Sequence, residues 1–88
     1  MKQIKKRLIN ILNKELFIDR NLLSNENARL ENNLHLNPTD LNLLLYYFER
    51  DLKIEIPDEK MSLSQNLNEF AKSIYQIKKY TAKLAKAS

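Results

Sequence analysis

The first part of the chain repeats apolar side chains every three or four positions, the spacing of an amphipathic helix. The apolar positions are Ile4, Leu8, Ile11, Leu12 and Leu16. Lysine, arginine and asparagine fill most of the positions between them. We therefore predict a first helix from about Lys2 to Phe17 that buries one face.

Residues 18–36 show no sustained hydrophobic period and are rich in asparagine. Their scattered apolar residues are Leu22, Leu23, Ala28, Leu30 and Leu34. A loop of this length inside a compact domain is uncommon and is usually functional or disordered. We predict a long ordered loop that these apolar side chains anchor to the rest of the protein.

A second helix is predicted from Pro38 to Leu52, and it has two apolar faces. The core-facing stripe consists of Leu41, Leu44, Leu45, Phe48 and Leu52. The opposite face carries Thr39, Leu43, Tyr46, Tyr47 and Arg50. A chain of this size cannot enclose a helix on all sides, so this second face either meets a partner or is covered by another segment of the chain.

The remaining residues predict a short helical turn at Asp58–Ser62 and a last helix with Ser64 as its N-cap. The apolar stripe of the last helix consists of Leu67, Phe70, Ala71, Ile74 and Ile77. The helix is expected to continue towards Lys83, with Lys72, Lys79, Lys83 and Lys86 on one side. The predicted fold class is all-α, a four-helix bundle of three long helices and one short one, with the long loop between the first two long helices.

Composition narrows the possible chemistry. The 88 residues include no cysteine, no glycine and a single histidine. These counts exclude disulfides, thiolate zinc sites and glycine-rich phosphate loops, and they make a histidine metal site improbable. No pair of acid–base groups can be placed in a cleft from the sequence, so we predict that the protein is not an enzyme. The sequence also has no predicted membrane span or secretory leader, and we expect a cytoplasmic protein.

Charge is unevenly distributed around a net value of +4. Residues 1–20 contain six Lys/Arg and two acids, and residues 72–88 contain five Lys and no acid. Residues 21–71 contain four Lys/Arg and nine acids. Both ends are therefore basic, and the middle is acidic. We divide the chain into a helical domain at 1–77 and a basic C-terminal helix extension or tail at 78–88.

The stretch 37–59 reads NPTDLNLLLYYFERDLKIEIPDE. It resembles the core of acyl carrier proteins, which have an Asp-Ser-Leu-Asp helix start, a long helix and an acidic-apolar loop that here reads IEIPDE. The resemblance is strong over 34–59 and weaker as far as about Tyr75. It implies an acyl-carrier-like four-helix order, with the short helix between the last two long ones.

Counting back from Pro57 without gaps, Pro38 takes the position of the serine that carries phosphopantetheine in the family. Asn37 is a favoured N-cap, proline is favoured at the first helical position, and Asp40 complements the positive end of the helix dipole. The resemblance thus implies that the helix start is kept while the attachment hydroxyl is lost, and no phosphopantetheine is expected. His35 lies where many family members have glycine, and we expect it to be a surface or turn residue.

In acyl carrier proteins the equivalent face of the second helix is the recognition surface for partner enzymes. The resemblance therefore implies a partner-binding set of Asn37, Thr39, Asp40, Leu43, Tyr46, Tyr47 and Arg50. The partner would be a protein of a fatty-acid or polyketide-type system, or a second copy of this chain. The alternative is that the 18–36 loop or the C-terminal extension covers these side chains.

Two other functions remain open at this stage. The first alternative is a working acyl carrier protein with an atypical attachment site, for which Thr39 has the nearest hydroxyl. The second is a small basic helical module that binds nucleic acid or anionic membrane. A shift of one residue rotates a helical side chain by about 100°, which argues against Thr39. The sequence has no basic groove interleaved with aromatic residues, so nucleic-acid and membrane binding are not expected.

Overall fold

The structure is a computed structural model that describes residues 2–87, with the side chains of residues 2–57 and 59–81. The α-helices are α1 at Lys2–Lys14, α2 at Arg20–Leu23, α3 at Pro38–Leu52 and α4 at Leu67–Ala87, and a 3-10 turn lies at Asp58–Lys60. Across the described residues the only β-type pairing is an isolated bridge between Arg29 and Asn66. The predicted all-α fold class, a small helical bundle, is confirmed.

Helix α1 ends at Lys14, three residues before the predicted end at Phe17. Phe17 adopts a left-handed backbone with a φ of 59°, which no α-helix can continue through. Just beyond the helix, the Ile18 carbonyl accepts a hydrogen bond of 2.9 Å from the Asn13 side-chain amide. The chain therefore turns away early, and the Phe17 side chain is left 86% exposed.

The segment 18–36 contains one helical turn, α2, that the sequence pattern did not reveal. Asp19 caps it by accepting a hydrogen bond of 2.8 Å from the Asn21 N–H. Leu23 is buried, but Leu22, which was predicted to be an anchor, is 48% exposed. That prediction was wrong because adjacent residues on a helical turn point in different directions, so only one of the two leucines can face the core.

Main-chain hydrogen bonds hold the rest of this segment against the start of α4. The Leu30 N–H donates to the Gln65 carbonyl and the Leu67 N–H donates to the Ala28 carbonyl, each at 3.0 Å. The buried side chains of the segment are Leu23, Ala28, Leu30, Leu34 and Leu36. The segment thus contributes to the core although most of it is not helical.

The core lies between the three long helices. Phe48 of α3 and Phe70 of α4 are both fully buried, and their ring centres are 6.2 Å apart. From the stripe predicted on α3, Leu44, Leu45 and Phe48 are buried, and the two end residues, Leu41 and Leu52, are partly buried. Helix α3 therefore has its predicted inner face.

Helix α4 begins at Leu67, and its cap is Asn66 rather than the predicted Ser64. The Asn66 side-chain oxygen accepts a hydrogen bond of 2.7 Å from the Glu69 N–H, and the Glu69 carboxylate accepts one of 3.0 Å from the Asn66 N–H. This reciprocal pair is a capping box. The Ser64 hydroxyl instead lies 2.8 Å from that of Ser62. The prediction failed because asparagine, which caps a helix as well as serine does, stands closer to the first buried residue.

Helix α4 continues without a break across the predicted boundary between residues 77 and 78. It ends at Ala87, further than the predicted end near Lys83. Its predicted stripe is buried at Leu67, Phe70, Ala71 and Ile74 and partly buried at Ile77. Lys72 and Lys79 are exposed, whereas the side chains of Lys83 and Lys86 lie outside the described part. The predicted short helix at Asp58–Ser62 is a tighter 3-10 turn that ends at Lys60. The division into 1–77 and 78–88 stays a prediction.

Candidate functional site

The start of α3 is the position to which the resemblance assigns the attachment serine. Helix α3 begins at Pro38, as predicted, and Asn37 is its N-cap. The Asn37 side-chain oxygen accepts a hydrogen bond of 2.8 Å from the Asp40 N–H, and the Asp40 carboxylate accepts one of 3.1 Å from the Asn37 N–H. Pro38 and Thr39 are exposed beside this capping box. Asn37 and Asp40 thus use their side chains to begin the helix.

His35 lies three residues before Pro38 and has a left-handed backbone, with a φ of 59°. Glycine adopts this conformation without steric cost, whereas a residue with a Cβ atom pays for it. The His35 N–H donates a hydrogen bond of 3.0 Å to the Glu31 carbonyl, which closes the turn. The imidazole is exposed, in keeping with the surface or turn residue that was predicted.

The outer face of α3 is only partly covered. Leu43 is 37% exposed and Tyr46 is 55% exposed. Tyr47 is partly buried, and its hydroxyl donates a hydrogen bond of 3.0 Å to the carboxylate of Glu15, just beyond α1. The contact that covers Tyr47 thus comes from the α1 end of the chain, a segment that neither sequence-based alternative had named.

Arg50 joins the two tyrosines into one cluster. Its guanidinium carbon lies 5.1 Å from the centre of the Tyr47 ring and 5.9 Å from that of Tyr46. The two rings meet edge to face with their centres 5.7 Å apart. These distances are in the range of cation–π and aromatic pairing. The outer face is therefore a preformed surface on a helix.

Asp51 connects this cluster to α1. Its carboxylate accepts hydrogen bonds from Arg7 Nη1 at 3.0 Å and from Arg50 Nε at 3.4 Å. Exposed ion pairs of this kind contribute little to stability. Both guanidinium groups lie against the same carboxylate in the structure.

The same contacts shift two pKa values. The hydrogen bond from Tyr47 to the Glu15 carboxylate, with a further contribution from partial desolvation, raises the pKa of Tyr47 above its ordinary value of 10.0. Desolvation acts to lower the pKa of Arg50, but the hydrogen bond to Asp51 and the charge of that carboxylate outweigh it, and the net shift is upward. Tyr47 therefore stays neutral and Arg50 stays charged at neutral pH.

A polar cleft of about 560 Å³ lies between α1 and α3 beside this cluster. It is lined by Gln3, Lys6, Arg7, Asn10, Ile11, Lys14, Glu15, Tyr47, Arg50 and Asp51. Four of these residues are cations and two are anions, so the cleft has a net positive charge of two. This cleft and the exposed part of α3 together are the best-defined candidate site in the described part of the chain.

The structure brings four of the predicted partner-binding residues, Leu43, Tyr46, Tyr47 and Arg50, onto one face of α3. Thr39 lies on the same face, one turn before Leu43, whereas Asn37 and Asp40 form the cap at the beginning of the helix. Sequence reasoning missed the contribution of α1, because a contact such as that between Tyr47 and Glu15 joins residues 32 positions apart and leaves no periodic pattern. A binding role for the seven residues stays a prediction.

Two other features are absent from the part of the chain that the structure describes. Among the described side chains, those of residues 2–57 and 59–81, no group of three or more His, Cys, Asp or Glu is placed to hold a metal ion. The helices found within residues 2–87 are all too short or too polar to cross a membrane. Comparison of the chain with family models, curated proteins and solved structures gives no match.

Proposed function

We propose that this chain is a divergent acyl-carrier-like domain that is not loaded with phosphopantetheine. It acts through protein contact, without catalysis, as an accessory component of a fatty-acid or polyketide-type system in the cytoplasm. The observation that supports this proposal most strongly is the capped helix start, with proline at the position where the resembling family has its attachment serine.

The helix start supports the loss of the prosthetic group. Pro38 has no nucleophile, and the Asn37–Asp40 capping box keeps the local backbone helical without one. Thr39 has the nearest hydroxyl, but it follows by one residue and is rotated by about 100° around the helix axis. A transferase that modifies the residue at the family's serine position would therefore find no acceptor hydroxyl there.

The backbone before the helix supports the carrier-like frame. His35 has a left-handed φ of 59° at a position where many members of the resembling family have glycine. The steric cost of a left-handed non-glycine residue makes this conformation uncommon. Its occurrence here fits a loop whose geometry has been kept while the glycine has been replaced.

The outer face of α3 supports the contact function. Tyr46, Leu43 and Arg50 are exposed on a helix that the core fixes from its other side. Tyrosine and arginine are enriched among the residues that dominate the binding energy of protein interfaces. The proposed binding surface therefore needs no rearrangement of the backbone.

The first test is the intact mass of the wild-type chain after co-expression with a broad-specificity phosphopantetheinyl transferase. We expect the mass of the unmodified polypeptide, whereas a known acyl carrier protein expressed in parallel gains one phosphopantetheine group. A gain of that mass by the wild-type chain would overturn the proposal. A Thr39→Ala variant would then show whether the atypical hydroxyl had been the acceptor.

A further inference from the structure

Helix α1 has a row of cations along its exposed side. The cations are Lys2, Lys6 and Lys14, which are spaced at multiples of four residues with the uncharged Asn10 between the last two, and all four residues are exposed. Since an α-helix rises 1.5 Å per residue, the row is about 18 Å long. It is long enough to meet several acidic side chains of one partner.

Lys14 lies in the last turn of α1, where a cation complements the helix dipole, but the cations near the start of the helix are unfavourable there. Helix α1 has five Lys/Arg, no acidic residue and no acid in its first turn. Lys2 and Lys5 lie at the positive end of the helix dipole, and Lys2 and Lys6 form a like-charge pair four residues apart, both of which are unfavourable arrangements. Stabilisation of α1 therefore does not explain Lys2 and Lys6.

Only some of the cations on α1 have acidic partners. Within the described side chains, Lys5 pairs with Glu26 at 3.2 Å and Arg7 pairs with Asp51 at 3.0 Å. Lys2, Lys6 and Lys14 take part in no ion pair among those side chains. The ammonium groups of this row are thus available to a ligand.

The row lies beside the exposed part of α3. Lys6 and Lys14 line the same cleft as Arg50, whose guanidinium lies over Tyr46. Leu43 is exposed one turn before Tyr46 on α3. We call the combined surface of Lys6, Lys14, Arg50, Tyr46 and Leu43 the α1–α3 face. It places a positive cleft next to two exposed apolar groups.

We propose that the α1–α3 face binds an acidic protein surface. Carboxylates of the partner face Lys6, Lys14 and Arg50, and an apolar side chain of the partner packs on Leu43 and Tyr46. This inference rests on the contact function proposed above and names the chemical class of the partner. It reverses the charge relation of typical acyl carrier proteins, which are acidic and meet basic partners.

The composition of the cleft favours a protein over a polyphosphate. Glu15 and Asp51 lie within the cleft, where they would repel a continuous phosphate backbone or an anionic membrane. A protein surface can place its own donors opposite these two carboxylates and its acids opposite the lysines. A second copy that docked through the same face would bring its own positive row to the interface and is disfavoured by repulsion.

A larger groove elsewhere on the molecule does not have a net positive charge. It measures about 1050 Å³ and lies between the Ile54–Pro57 link and α4. Its lining includes Glu49 and Glu55 as well as Lys53 and Lys60, so its charges balance. Of these two depressions, only the one at the α1–α3 face therefore has a net positive charge.

The test uses a fluorescently labelled helical peptide with glutamates on one face and leucines on the other, titrated with the full chain and followed by anisotropy. We expect binding that weakens as salt is raised, because the interacting charges are exposed and screened. We expect a Lys6→Glu/Lys14→Glu variant to bind about tenfold more weakly or worse. A Tyr46→Ala variant is expected to bind more weakly while keeping the salt dependence.

The matched control is a Lys72→Glu/Lys79→Glu variant on the exposed side of α4. Each lysine-to-glutamate change lowers the charge by two, so both double variants go from +4 to 0. We expect the control to retain wild-type affinity within about twofold, because its charges lie outside the proposed surface. If circular dichroism shows that the Lys6→Glu/Lys14→Glu variant unfolds α1, a Lys6→Gln/Lys14→Gln variant replaces it. This variant is also expected to bind more weakly than the wild type.

Several results would overturn the proposal. These are absence of peptide binding, equal losses in the α1 and α4 variants, or equal binding of a peptide with lysines in place of the glutamates. Tighter binding of a single-stranded oligonucleotide or of phosphatidylglycerol vesicles, with the same loss in the α1 variant, would also overturn it. The proposed lack of loading is judged separately by the wild-type mass, so failure of the peptide experiment leaves that result intact.

Discussion

Replacing Asn37 by alanine tests the capping box that begins α3. The substitution removes the side-chain oxygen that accepts the 2.8 Å hydrogen bond from the Asp40 N–H. The backbone N–H of residue 37 remains and can still donate to the Asp40 carboxylate, so the substitution removes one of the two hydrogen bonds of the capping box. Because α3 contributes Leu44, Leu45 and Phe48 to the core, a weaker helix start is expected to lower the stability of the whole domain.

The size of the effect follows from the exposure of the cap. Loss of an asparagine N-cap to alanine costs about 0.5–2 kcal/mol. Asn37 is exposed, so water can replace part of the lost bond, and we expect a loss of about 1 kcal/mol. For a domain of this size that loss corresponds to a fall in Tm of about 4–8 °C.

The matched control is Asn42→Ala, the same change on the exposed side of the same helix. The Asn42 side chain makes no hydrogen bond within the described part of the chain. Alanine has the higher helix propensity, so this variant is expected to gain up to about 0.7 kcal/mol. Both variants are measured by thermal and urea unfolding followed by circular dichroism. Equal midpoints for Asn37→Ala and Asn42→Ala would refute the role of the cap.

Two further predictions concern Tyr47 and His35. The raised pKa of Tyr47 means that the folded state holds its phenolic proton more tightly than the unfolded state, so this stabilisation is complete below the ordinary pKa of 10.0 and is lost as the pH rises through the folded-state value. Titration by near-ultraviolet absorbance should show that Glu15→Gln lowers the pKa of Tyr47, and an unchanged pKa would contradict the hydrogen bond. His35→Val should destabilise the protein by about 1–2 kcal/mol, because a β-branched residue resists the left-handed backbone, whereas His35→Gly should be tolerated. Equal unfolding midpoints for the valine and glycine variants would contradict this backbone assignment.

Whether a helix boundary could be predicted depended on how close in sequence the residues that determine it lie. The start of α3 was predictable because asparagine, proline and aspartate act on the backbone within one turn. The end of α1 was not, because it depends on the left-handed backbone of Phe17, a residue type that gives no hint of that conformation. The single turn of α2 escaped because four residues are too few for a hydrophobic period to emerge.

The candidate site was predictable on α3 and hidden on α1. Helical spacing alone placed Tyr46, Tyr47 and Arg50 on one face, and the structure brings them within cation–π distance. The hydrogen bond from Tyr47 to Glu15 joins residues 32 positions apart, and no periodic pattern encodes such a pairing. Its prediction requires the packing of α1 against α3.

The proposed function requires that Pro38 occupies the attachment position of an acyl-carrier-like frame. Replacing Pro38 by serine would restore a hydroxyl at the first residue of α3 while Asn37 and Asp40 keep the helix start. The most direct measurement is the intact mass of Pro38→Ser after co-expression with a broad-specificity phosphopantetheinyl transferase, with Thr39→Ser as the matched control. We predict that Pro38→Ser gains one phosphopantetheine group and that Thr39→Ser gains none. A Pro38→Ser variant that is fully helical and stays at its unmodified mass would contradict the claim.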